Sequence, residues 1–174
     1  EGFGYGIISL GIGTLYIQAD NEYQRFYNQN NVIADNIISD VCRAGIVLGF
    51  EEGTMVHNNR IHSIEGSDDA AGIMAGGFGR SNFDGYNNTG LQIDGNEISG
   101  ISADDMAFGI RVEQDRVAFD APGGGQVYFP DSPEGTVVSN NVVWGISSND
   151  GDAALSSIAL FTRRDMSQPT MWDM

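Results

Sequence analysis

One asparagine recurs along the chain. Asn36, Asn59, Asn96 and Asn141 stand in four segments of one pattern: small residue, Thr/Leu, x, Val/Ile, x, x, Asn, x, Ile/Val, x, x, Ile/Val. The segments begin at Asn30, Gly53, Gly90 and Gly135, and the spacings between the asparagines are 23, 37 and 45 residues. A fixed pattern at variable spacing describes a unit of constant geometry that carries insertions. Each segment is followed by a short unit, small-Ile-x-apolar: Gly45-Ile46-Val47-Leu48, Gly72-Ile73-Met74-Ala75, Gly109-Ile110-Arg111-Val112 and Ser157-Ile158-Ala159-Leu160. Gly6-Ile7-Ile8-Ser9-Leu10 reads as the tail of an earlier, incomplete unit.

Apolar and polar residues alternate in runs of three or four, which predicts strands with one buried face and is too short for helices. Asn and Gly tolerate the left-handed backbone of a sharp corner. An Asn at the same corner of every unit can bond the next unit and build a ladder. The reading is an all-β chain, a right-handed parallel β-helix of about five coils in a single domain over 1–174, with its core repeats in 30–161. Ile33, Val56, Ile93 and Val138 form one inward column, and Ile46, Ile73, Ile110 and Ile158 another. Each buried Val or Ile contributes ~1.5–3 kcal/mol.

On these Asn-x-Ile and Gly-Ile-x-Leu units the sequence resembles the pectate-lyase-like superfamily across residues 30–161. That resemblance implies the fold. Its members include polysaccharide lyases, polygalacturonase-type hydrolases, alginate epimerases, phage tailspikes and non-catalytic surface proteins, so it leaves the activity open. Ser67-Asp68-Asp69 is similar to the Asp-Asp motif of the polygalacturonase type. The accompanying Asn-Thr-Asp, Gly-His-Gly and Arg-Ile-Lys motifs are missing, so that assignment fails. For a lyase the resemblance implies a Lys or Arg base near bound calcium. The chain has no Lys, and its eight basic residues are all Arg.

Composition excludes further classes. The formal charge of −16 repels phosphate backbones and argues against nucleic acid as a partner. No apolar run approaches the ~20 residues of a membrane-spanning helix. A single cysteine, Cys42, excludes an intrachain disulfide framework and a Cys-rich zinc site. The missing Lys excludes Walker-type phosphate binding and Schiff-base chemistry. A chain that starts at Glu1 with no Met and no leader reads as a mature product or a piece of something longer.

Insertions fall at two corners. After the Gly-Ile strand, the connections 76–89 and 113–134 carry Phe78, Phe83, Tyr86, Tyr128 and Phe129 among glycines and prolines. Aromatic faces stack on sugar rings, so these five are candidate substrate-binding residues; the alternative is a satellite core folded back on the sheet. The other corner carries acidic residues in successive coils: Asp68-Asp69, Asp104-Asp105, and Asp150 with Asp152. Carboxylates stacked ~4.8 Å apart repel unless neutralised. Oxygen ligands of this kind suit Ca2+, which makes these six the candidate metal ligands; the alternative is solvated turn Asp.

Outward columns supply candidate catalytic groups. The residue two before the ladder Asn reads Ala34, His57, Asp94, Ser139; the residue one after it reads Ile37, Arg60, Glu97, Val142; two further on come Ser39, His62, Ser99, Trp144. His57, Arg60, Asp94, His62 and an outward Arg111 are therefore the expected acid–base set. A Ser-His-Asp triad does not form, because Ser139 would touch Asp94 rather than His57. The alternative is a solvated face laced with complementary charges. The expected function is a secreted or cell-surface module that binds or modifies polysaccharide, as a lyase or epimerase if catalytic. The competing expectation is a non-catalytic structural or adhesive segment, with further coils of a parent chain as partners.

Overall fold

A computed structural model describes residues 4–20, 22–76, 88–115, 118–120, 126–128, 135–150, 155–163 and 172–173; at 14–16, 23, 114–115, 118–120, 126–128, 161–163 and 172–173 only the backbone is described. The chain is all-β with parallel sheets. It opens with β1 (Tyr5–Leu10), a hairpin of β2 (Gly13–Ile17) and β3 (Glu22–Phe26), and the short β4 (Asn28–Gln29). The first repeat is β5 (Val32–Ala34), β6 (Ile37–Cys42) and β7 (Ala44–Gly49). A short β8 (Glu51–Glu52) leads to the second: β9 (Met55–His57), β10 (Arg60–Gly66) and β11 (Asp69–Ala75). The third is β12 (Gln92–Asp94), β13 (Glu97–Ala103) and β14 (Met106–Asp115), followed by an antiparallel pair, β15 (Ala118–Asp120) and β16 (Gln126–Tyr128). The fourth is β17 (Val137–Ser139), β18 (Val142–Ser148) and β19 (Leu155–Arg163), and β20 (Trp172–Asp173) runs back along the end of β19.

Every repeat contributes one strand to each of three sheets, whose orders are β17-β12-β9-β5, β18-β13-β10-β6 and β1-β7-β11-β14-β19-β20. Apart from β20, neighbours in these sheets pair in parallel and come from successive repeats. The register places Ile61 against Ile38 and Ile98, and Ile73 against Ile46 and Ile110, as the sequence columns require.

The corner chemistry explains this stacking. Asn59 donates its backbone N–H and its Nδ2 to Asn96 Oδ1, at 3.0 and 2.9 Å, and Nδ2 also reaches the Ile33 carbonyl. Asn36 donates to Asn59, and Asn96 to Asn141, in the same way. The left-handed residue is the one before the ladder Asn: Asp35, Asn58, Gly95 and Asn140 have φ of 58°, 55°, 65° and 53°. Asn, Asp and Gly meet that requirement most easily. The small residue of the Gly-Ile unit has a different cause. A Cβ on Gly72 would stand 2.4 Å from Ile98 Cγ2 and 2.7 Å from the Gly109 carbonyl oxygen.

The main core fills the space between the three sheets. Ile46, Val56, Ile61, Ile64, Ile73, Ile93, Ile98 and Ile110 in it are fully buried. A second apolar cluster, Ala44, Val47, Ala71, Met74, Phe108 and Ala159, lies on the other face of the six-stranded sheet. That face was expected to be solvated. Instead β7 and β11 are buried along their whole length, which is the reason their sequences are nearly continuous apolar runs.

Candidate functional site

The two four-stranded sheets carry the exposed candidates. Register sets His57 between Ala34 and Asp94, and Asp94 between His57 and Ser139. Asp94 Oδ1 accepts hydrogen bonds from Ser139 Oγ and Asn140 Nδ2, both at 2.7 Å. These two bonds hold the Asp94 carboxyl below its ordinary value of 3.8, and the charge of His57 adds only the smallest contribution. On the next sheet, Arg60 lies between Ile37 and Glu97, and its Nη2 and Nε donate to Glu97 Oε2 at 2.9 and 3.1 Å. Both side chains are well exposed, so this pair is worth only ~0–1 kcal/mol. His62 lies between Ser39 and Ser99, with Nδ1 3.3 Å from Ser63 Oγ. An open depression at the ladder corner is lined by Asp35, Asn36, Asn58, Asn59, Arg60 and Glu97.

Arg111 does not join this group. It belongs to the six-stranded sheet, in the column of Val47, Met74 and Ala159, and is 5% exposed. Arg111 points outward from the main core as expected, but its place in the acid–base set is corrected: it is buried in the second cluster. Nη1 donates to Asp69 Oδ2 at 3.0 Å, Nε and Nη2 bind Glu113 Oε2, and the guanidinium lies 5.3 Å from the centre of the Phe108 ring. Arg43 completes the network, with Nε 3.2 Å from Asp69 Oδ1 and Nη1 donating to the Tyr5 hydroxyl. Two guanidiniums balance two carboxylates, which is the condition for keeping such charges under cover.

Asp69 therefore leaves the acidic corner for these arginines. The rest of the corner is held by backbone: Asp105 N and Met106 N donate to the Asp68 carbonyl, and Ser148 Oγ donates to the Asp105 carbonyl. Asn149 Nδ2 donates to Asp104 Oδ1 at 2.7 Å. Among the described residues no three or more His, Cys, Asp or Glu side chains converge on a point that could hold a metal ion. The described carboxylates of the corner, Asp68, Asp69, Asp104, Asp105 and Asp150, are therefore not gathered in threes. Asp152 lies outside the described residues, as do Phe78, Phe83, Tyr86 and Phe129; Tyr128 is described in its backbone alone.

One polar centre has no counterpart among the sequence candidates. Glu51 is fully buried and accepts four hydrogen bonds, from Ser9 Oγ (2.7 Å) and Asn28 Nδ2 (2.7 Å) on Oε1, and from Thr54 Oγ1 (2.6 Å) and Asn31 Nδ2 (3.1 Å) on Oε2. Its backbone N–H donates to Asn88 Oδ1. Extending the repeat alignment by three residues finds the signal: Asn28, Glu51 and Asn88 occupy one position, three before Asn31, Thr54 and Leu91.

No family model matches the chain, and neither curated proteins nor solved structures give a match.

Proposed function

We propose that the chain is a right-handed parallel β-helix of about five coils that serves as a secreted or cell-surface polysaccharide-binding module, without turning its ligand over. The observation that supports binding over catalysis is that three of the five acid–base candidates are held by neighbouring side chains. Asp94 is held by Ser139 and Asn140, Arg60 by Glu97, and Arg111 by Asp69 and Glu113. Acid–base catalysis needs a group within hydrogen-bond reach of the substrate and with a pKa near the working pH. These three are instead occupied by Ser139 and Asn140, by Glu97, and by Asp69 and Glu113. The same surface suits recognition: amide, carboxylate and guanidinium groups line an open depression and repeat at the ~4.8 Å strand spacing, offering donors and acceptors to a chain of hydroxyls. The charge of −16 repels polyuronates, so the ligand class is a neutral polysaccharide.

A polysaccharide panel tests this, read both by affinity electrophoresis and by release of reducing or unsaturated ends. Retardation by a neutral glycan that weakens in Arg60→Ala, with no products, is expected. Absence of binding across the panel would sink the reading, and product formation would overturn its non-catalytic part. A second reading is a structural or adhesive segment of tailspike type. It is favoured by the cross-strand pairing of Arg60 with Glu97, which ties the exposed faces of β10 and β13 to each other.

A further inference from the structure

The depression at the ladder corner is made by one missing side chain. Asp35, Asn58, Gly95 and Asn140 hold the same corner position in successive repeats, all with left-handed backbone. Three of them carry exposed polar side chains, and Gly95 carries none. A Cβ on Gly95 would stand 3.0 Å from Asn58 Oδ1. The gap belongs to one depression with Asp35, Ile37, Asn58, Arg60 and Glu97. Its volume of about 350 Å3 lies at the low end of the ~300–1,000 Å3 of small-molecule sites, which is room for a sugar ring.

The polar atoms of this depression are only partly engaged. Arg60 Nε and Nη2 both donate to Glu97 Oε2. Glu97 Oε1 and Arg60 Nη1 have no partner among the described residues, and neither have the side chains of Asn58 and Asp35. One ion pair therefore holds an open acceptor and an open donor in fixed relation. Two hydroxyls on adjacent ring carbons match that arrangement. One donates to the carboxylate oxygen while the other accepts from the guanidinium, and both bonds are charge-assisted. A ring without adjacent hydroxyls can satisfy only one of the two. Ile37 is the neighbour of Arg60 on β6 and is 75% exposed, so it offers an apolar surface to the C–H face of the ring. Two carboxylates against one guanidinium leave the depression net negative, which disfavours an anionic sugar.

We propose that this depression is a ring subsite that selects a vicinal diol. Its ligand is then a neutral glycan whose linkages leave adjacent hydroxyls free along the chain. Arg60 and Glu97 read the diol, and Gly95 supplies the space beside them. The proposal rests on the glycan-binding reading above and narrows its ligand.

Affinity electrophoresis in two neutral polymers tests it. A glucomannan linked through O4 keeps the O2 and O3 hydroxyls free on its backbone rings, whereas a glucan linked through O3 has no adjacent pair on its internal rings. The first is expected to bind at least about tenfold more tightly than the second. Gly95→Asn fills the gap with the residue that the chain itself carries at positions 58 and 140 on the same left-handed backbone, and should abolish retardation by glucomannan with the circular dichroism of the parent. Glu97→Ala, at a well-exposed side chain, should weaken it by about tenfold or more. Glu65→Gln removes an exposed carboxylate of β10 outside the depression and should leave retardation unchanged. Retardation by the O3-linked glucan as strong as by glucomannan, undiminished retardation in a folded Gly95→Asn or in Glu97→Ala, or an equal loss in Glu65→Gln would each overturn the diol site and leave glycan binding standing. Retardation by no neutral glycan at all would overturn both.

Discussion

Glu51 offers the sharpest test of how the first repeats are joined. Its carboxylate collects donors from β1 (Ser9), β4 (Asn28), the residue before β5 (Asn31) and its own corner (Thr54), all between 2.6 and 3.1 Å. A hydrogen bond to a charged acceptor contributes roughly 1.5–3 kcal/mol, and a buried donor left unpaired costs about 1–3 kcal/mol. In Glu51→Gln one oxygen becomes an NH2 group facing two donors. The Ser9 or Thr54 hydroxyl can rotate to accept from it, but the neighbouring Asn amide must turn away. The expected cost is about 2–3 kcal/mol. Glu51→Leu removes the acceptor of all four bonds, leaving Asn28 and Asn31 only their 3.4 Å contacts with Ser9 Oγ, and should cost more than about 4 kcal/mol, a large part of the 5–15 kcal/mol typical of a whole domain. Equilibrium unfolding in urea reads both. With a slope of roughly 2 kcal/mol per molar, Glu51→Gln should lower the midpoint by about 1 M. A Glu51→Gln midpoint equal to that of the parent would refute the reasoning, because it would mean that the four donors do not depend on an ionised acceptor.

Three further outcomes follow from the geometry. Asp94 has its folded pKa depressed below 3.8, so its contribution to stability is present above that value and is lost as pH falls through the folded pKa; Asp94→Asn should lower the melting temperature at neutral pH, approach the parent in acid, and so flatten the acid limb of the melting curve. Arg111→Ala strands Glu113 under cover and leaves Asp69 with Arg43 alone, and should destabilise by about 3–5 kcal/mol in a urea titration, whereas Arg60→Ala on the exposed sheet should stay within about 1 kcal/mol. Calcium added after chelation should leave the melting temperature unchanged, since Asp69 is neutralised by Arg43 and Arg111; a rise would return the acidic corner to metal binding.

The cross-strand partners were legible in the sequence because a repeat aligned by column is already a register. Once Asn36, Asn59, Asn96 and Asn141 are superposed, His57 must meet Asp94 and Arg60 must meet Glu97, and both pairs are neighbours in the sheets. Arg111 was not legible by the same means. Alternation tells which side of a strand faces the main core, but not whether the second side is wet. The clue lay in its column, where Val47, Met74 and Ala159 are all apolar, the signature of a strand buried on both faces. Glu51 escaped because it and two of its partners, Ser9 and Asn28, lie outside the four aligned units. A carboxylate in an acidic chain also looks like one more solvated charge until its neighbours are known.

The column of left-handed corners has a consequence for how such a chain can change. Sequence distance between successive ladder asparagines nearly doubles along the molecule, yet the hydrogen bonds that join them keep the same donors, acceptors and lengths. Each connection leaves one strand and returns to another whose positions are already set by register, so its length enters stability only through loop closure, at about 0.6 kcal/mol per doubling. The connections after β11 and β14 are therefore places where new chemistry can be spliced in while the strands beneath stay in register. The scaffold and the surface it displays can evolve at separate rates.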